Sequence, residues 1–159
     1  MKIETQASVT VRATAERAFA LATDLANFHR YFKGSGPIPA VQKVVWHPGA
    51  QPLPGGRRDV HNSDGSVLIE ELLELTPPER HRYRLVSGFK PPFSWMVEYA
   101  EGDWRFTPDG ADTRIDWHYA FQLRSPLALP VLLPIIKIFF RRAMQDCLEA
   151  MAAELKDAV

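Results

Sequence analysis

At 159 residues, with 46% apolar and 24% charged side chains, the chain suffices for one globular domain over 1–159 and leaves no room for a second. Nineteen basic residues balance nineteen acidic ones, which removes the overall field that a nucleic-acid partner would need. Cys147 is the only cysteine, so an intramolecular disulfide is excluded and a reducing, cytoplasmic setting is expected.

The first residues alternate rather than forming the apolar core of a signal peptide. Ile3, Thr5, Ala7, Val9 and Val11 fall on one side and Glu4, Gln6, Ser8, Thr10 and Arg12 on the other, the period of a strand with one wet face. Thr14 is placed to cap a helix carrying Ala18, Phe19, Leu21 and Ala22. Asp24 is placed to cap a second short helix with Leu25, Phe28 and Phe32 at helical spacing. Breakers mark 34–39 and 47–56 as loops, with a strand at Val41–Trp46 between them.

Strands at 57–61 and 66–75 flank Asp64 and Gly65, a hairpin signal because glycine tolerates positive φ. Further strands are expected at 81–87, 95–107 and 113–123, the last two joined by a turn at Pro108, Asp109 and Gly110. A regular helix is expected from near Pro134 to Asp157, because Ile136, Phe140, Ala143, Met144, Cys147, Leu148 and Met151 share one arc. Residues 126–133 form its irregular lead-in. The apolar run 127–140 is too short and too rich in proline to span a bilayer.

These pieces in this order, SVTVRATAERAF at 8–19, DGSVLIEE at 64–71 and DTRIDW at 112–117 before the last helix, resemble the START-like, helix-grip superfamily. That group also goes by SRPBCC and includes polyketide cyclase/dehydrase and lipid-transport relatives. The resemblance implies an α+β helix-grip fold, a curved antiparallel β-sheet wrapped around a long C-terminal helix, with two short helices after the first strand. It also implies an apolar cavity between sheet and helix, and a hydrophobic small molecule as the partner. It carries over no catalytic residue.

Ile115, Trp117, Tyr119, Phe121 and Leu123 share the strand face expected to look inward. Trp117, Tyr119 and Phe121, with Phe28, Phe32, Trp104, Phe106, Phe140 and Met144, are the candidate lining of the cavity, and the bland alternative is that the rings fill it. Trp104 and Phe106 differ in parity from Trp95, Val97 and Tyr99, so a bulge near Gly102 is needed to turn all five inward. Glu71 shares parity with Val67, Ile69, Leu73 and Leu75. It is therefore an acid on an apolar face, or the partner of Arg58 or Arg84 in a structural ion pair, or turned outward by a bulge.

Tyr83 alternates with Arg80, Arg82 and Arg84 and offers a hydroxyl to a ligand; Glu71, Tyr83 and Tyr99 are the candidates for proton transfer. The five histidines show no metal spacing, so no metal and no cofactor is expected. Ile135, Ile138 and Phe139 beside Lys137, Arg141 and Arg142 form an apolar patch with a basic border, suited to transient membrane-surface contact, to a homodimer, or to packing under 126–133. Binding or transport of a hydrophobic molecule is the favoured function. A cyclase- or dehydratase-like enzyme and a protein-interaction module are the alternatives.

Overall fold

The computed structural model of the chain describes residues 1–157. Seven antiparallel strands form one sheet: β1 (Lys2–Val11), β2 (Val41–Trp46), β3 (Arg57–Asn62), β4 (Val67–Thr76), β5 (Arg80–Ser87), β6 (Val97–Asp109) and β7 (Asp112–Leu123). They lie in the order β1-β7-β6-β5-β4-β3-β2, so β2 to β7 are a meander and β1 closes beside the last strand. On the inner face, Ala7 and Thr5 of β1 stand opposite Trp117 and Tyr119 of β7, small side chains beside large rings. Trp117 stacks on its cross-strand neighbour Trp104, ring centroids 4.1 Å apart.

Helix α1 (Ala15–Thr23) follows β1, its first turn closed by the Thr14 hydroxyl, which accepts from the Arg17 backbone N–H at 3.2 Å. The second short helix is a 3-10 turn, Leu25–Arg30, and Asp24 does not cap it. Its carboxylate takes the Asn27 side-chain amide instead, at 2.7 Å. A short helix α2 (Phe93–Met96) precedes β6, so Trp95 is helical rather than part of the expected strand.

The C-terminal helical run begins earlier than its amphipathic stripe implies. Ser125 caps a 3-10 turn at Pro126–Ala128, followed by α3 (Leu129–Pro134), a π-helical turn (Ile135–Phe140) and α4 (Arg141–Asp157). Pro126 and Pro130 sit in first turns, where the missing N–H is no loss. Pro134 lies inside the run, where it lacks an N–H and crowds the preceding turn, and the chain widens into the π turn immediately after it. Ala143, Met144, Cys147, Leu148, Met151 and Leu155 are buried against the sheet as their spacing requires. Gln145 ties the helix to the β1 edge by donating to the Ser8 carbonyl at 3.1 Å.

Two of the register shifts in the sheet bear on the faces expected from parity. On β6 the register shifts between Val97 and Tyr99, not at Gly102, so Val97 and Ala100 are both buried while Tyr99 turns outward. Gly102 serves instead as the close approach opposite Tyr83, whose ring occupies the space a Cβ would need. On β4 the pairing with β5 shifts between Leu72 and Glu74. Leu72 and Leu75 therefore both pair with inward residues of β5, and the parity counted back from Leu75 puts the wrong acid inside.

Candidate functional site

Between the sheet and the helical run lies a cavity of about 150 Å³. Phe28, Phe32 and Phe140 wall it from the helical side, and Trp104, Trp117, Tyr119 and Phe121 from the sheet. The rings hold one another edge to face: Phe28 meets Trp104 and Trp117 at 6.4 Å, and Phe140 meets Tyr119 at 4.7 Å. The Trp117 indole N–H is buried and has no hydrogen-bond partner among the described residues.

The wall has two polar parts: Asn62, Ser66 and Asp64, hydrogen-bonded in a row beside Lys90, and a cluster on β3 to β5. Arg58 on β3 and Glu70 on β4 are cross-strand partners, and the buried guanidinium donates to the Glu70 carboxylate at 2.8 Å. The guanidinium is flanked by the rings of Trp46 at 5.4 Å and Tyr83 at 5.2 Å, and its Nη2 is 3.1 Å from His81 Nε2. Because arginine can only donate, His81 Nε2 accepts and its proton sits on Nδ1. Burial, with the Arg58 charge beside it, pushes the His81 imidazole down to about 3, so it is neutral at pH 7. The Tyr83 hydroxyl accepts a long bond of 3.5 Å from Trp104 Nε1, and the Tyr83 and Tyr119 rings meet at 6.0 Å. Burial raises both phenols above their ordinary value, with the Glu70 charge adding to the effect, and both remain protonated donors.

The candidates read from the sequence divide into two groups. Phe28, Phe32, Tyr83, Trp104, Trp117, Tyr119, Phe121 and Phe140 are brought together around the cavity. Glu71 is not: it faces outward and pairs with Arg57 at 3.2 Å, rather than with Arg58 or Arg84. Tyr99 also faces outward, with the Arg84 guanidinium 4.7 Å over its ring. Phe106 packs edge-on to Phe19 at 5.1 Å beyond the cavity, and Met144 is fully buried one turn past Phe140 in the helix–sheet core. Of the apolar patch, Ile135 lines the cavity, Phe139 packs on Gly36, and Ile138 alone is exposed.

Arg58, Glu70 and His81 were missed as site residues. Their signal was present as parity, since Arg58 shares a face with Val60, Glu70 with Leu68 and Leu72, and His81 with Tyr83 and Leu85. Among the described residues no group of three or more His, Cys, Asp or Glu side chains is disposed to hold a metal ion, and no helix is long and apolar enough to cross a membrane.

An antiparallel sheet closed by a long C-terminal helix around a ring-lined cavity defines a helix-grip protein, and solved structures agree. A protein from Thermus thermophilus, TTHA0849, superposes with a TM-score of 0.74 at 21% identity over 98% of this chain and 99% of that one. Norcoclaurine synthase from Thalictrum flavum, solved with dopamine and hydroxybenzaldehyde, has a TM-score of 0.74 at 12% identity, covering 100% of this chain and 89% of the synthase. Ara h 8.0201 matches with a TM-score of 0.70 at 13% identity over 99% of both chains. No curated protein matches the sequence. The chain belongs to the polyketide cyclase/dehydrase and lipid-transport family, whose sequence profile matches residues 2–156, and hydrophobic small molecules are the ligands of that family.

Proposed function

We propose that this protein binds and carries a hydrophobic small molecule with one oxygen-bearing end, the apolar part among the rings and the oxygen toward Arg58, Tyr83 and Tyr119. The observation that carries this is the pairing of an apolar cavity with the buried Arg58–Glu70–His81 cluster in its wall. Apolar cavities of this size accept a guest about as large as benzene. Burying roughly 200 Å² of such a guest gains about 5 kcal/mol, a sub-millimolar affinity before any polar contact. A longer guest enters by displacing Phe28 and Phe140, which are only half-buried.

The polar wall favours recognition over proton transfer. Glu70 is engaged by Arg58, His81 titrates near 3, and both phenols are held protonated, so neither the imidazole nor the phenols rest near neutrality as a general acid–base pair would require. A cyclase- or dehydratase-like activity has one supporting observation, that Tyr83 and Tyr119 can donate to a carbonyl in a shielded site.

Titration with 8-anilinonaphthalene-1-sulfonate, with native mass spectrometry of the purified protein, tests the proposal. The expected result is saturable binding at one site, abolished by Leu68→Trp, which fills the cavity from a half-buried wall position, with the fold retained by circular dichroism. Absence of binding, or binding indifferent to Leu68→Trp, refutes it. Loss of turnover of an added polyketide-like ketone in Tyr83→Phe, with probe binding retained, would instead support the enzyme.

A further inference from the structure

Of the nine exposed large apolar side chains among the described residues, five, including the two most exposed, lie on the two segments that also wall the cavity. On the start of the C-terminal run, Leu127 is 88% exposed, Val131 52% and Ile138 52%; on α2, Trp95 is 72% exposed. Leu127, Val131, Pro134 and Ile138 follow one another at intervals of four, three and four, so they form one outward stripe while Leu132 and Ile136 point into the cavity. Helix α2 divides the same way, with Phe93 lining the cavity and Trp95 in solvent. The segments are fastened together by Arg124, whose backbone N–H donates to the Met96 carbonyl at 2.9 Å and whose side chain donates to the Ser94 carbonyl at 3.0 Å. Trp95 lies between those two carbonyls in sequence, and Leu127 is three residues past the arginine.

The charge of these segments is one-sided although the chain as a whole is balanced. Residues 88–97 and 123–145 contain Lys90, Arg124, Lys137, Arg141 and Arg142 and no Asp or Glu, where the average composition would place about four acids. Arg141 and Arg142 are exposed at the inner end of the stripe and enter no salt bridge among the described residues. An apolar tip carrying a tryptophan, followed by unpaired arginines, fits the layering of a lipid surface: hydrocarbon beneath the headgroups, aromatic rings at their level, anionic charge outside.

We infer that this face docks on an anionic lipid surface, Trp95, Leu127 and Val131 entering the headgroup boundary while Arg141 and Arg142 meet the acidic headgroups. Docking sets the wall formed by Phe93, Leu132 and Ile136 against the membrane, so that a guest passes between cavity and bilayer without crossing water. Lys90 reaches the Asp64 carbonyl, Lys137 the Glu4 carbonyl and Arg124 the Ser94 carbonyl, so the cations left for a partner are Arg141 and Arg142, whose match is an anionic surface rather than a neutral protein face. A second copy of this chain would bring the same cations against themselves, which like-charge repulsion disfavours.

Co-sedimentation of the protein with vesicles of phosphatidylcholine containing about one third phosphatidylserine, and with pure phosphatidylcholine vesicles, tests the inference. The expected result is binding to the anionic vesicles that Trp95→Ser/Leu127→Ser weakens at least about tenfold, and that Arg141→Gln and Arg142→Gln weaken about fivefold each. Tryptophan emission should shift to shorter wavelength on binding, and Trp95→Phe should remove the shift. The altered side chains are at the surface, so circular dichroism and cavity probe binding without vesicles should match the parent protein. The inference is overturned by absence of vesicle binding, by equal binding of the Trp95→Ser/Leu127→Ser protein, or by a dimer in multi-angle light scattering that Leu127→Ser dissolves. Vesicle-free probe binding is a separate readout, so failure here is distinguishable from failure of the cavity to bind a ligand.

Discussion

His81 makes acid stability a direct readout of the polar wall. Its imidazole is buried against the Arg58 guanidinium and titrates near 3, whereas in the unfolded chain it titrates near its ordinary value of 6.5. Between those values the unfolded state binds the extra proton, so native stability is whole above 6.5 and falls as pH drops toward 3. Each unit is worth about 1.4 kcal/mol, so lowering the pH from 6.5 to 4.5 costs about 2 kcal/mol through this one residue. The facing groups do not offset this: Arg58 on β3 repels the added charge, Glu70 on β4 is engaged by Arg58, and Tyr83 on β5 is neutral. His81→Gln keeps an acceptor for Arg58 and removes the titration. Urea unfolding of both proteins at intervals from pH 7 to 4.5 should therefore show the parent losing about 2–3 kcal/mol more than the variant. Parallel curves would refute the placement of a neutral imidazole beside the guanidinium.

Arg58→Met strands the nearly buried Glu70 carboxylate and should cost about 3–5 kcal/mol in urea unfolding, most of it recovered in Arg58→Met/Glu70→Leu. Gly102→Ala drives a methyl into the Tyr83 ring and should cost about 1–3 kcal/mol while weakening probe binding, whereas Gly110→Ala, where nothing stands in the way of a Cβ, should leave probe binding unchanged. Phe140→Ala should cost about 2 kcal/mol and admit larger probes, seen as tighter binding of a bicyclic than of a monocyclic ligand in competition titrations. Burial pushes the Cys147 thiol up, so it should react with a thiol reagent only as fast as the protein unfolds; rapid labelling of the native protein would contradict its placement.

Alternation and helical spacing made the elements legible, because both periods come from backbone geometry and survive wherever one face meets water. Every expected strand is present to within a few residues at its ends, and the rings of 117–121 face the cavity as their parity requires. What escaped was phase. A bulge adds one residue to one strand, and no local feature of Glu98 or Leu73 announces it, yet each exchanges the faces on either side. Placing Glu71 inside in place of Glu70, and Tyr99 inside when it faces outward, both follow from that single ambiguity. The polar wall escaped for another reason. Arginine and histidine are read as surface residues by default, and only their register opposite one another reveals that Arg58, Glu70 and His81 neutralise each other's burial.

The π-helical turn at Ile135–Phe140 divides the terminal helical run into halves with different duties. Ala128, Leu132, Ile136, Phe140 and Met144 recur every fourth residue, a spacing that precesses by about 40° per step on a regular α-helix. The wider turn after Pro134 takes back part of that precession and keeps Leu132, Ile136 and Phe140 pointed at the guest while 143–155 keep their own hold on the sheet. Substitutions upstream of the turn can thus retune what the protein accommodates without loosening the anchorage downstream, a modular arrangement within one uninterrupted rod.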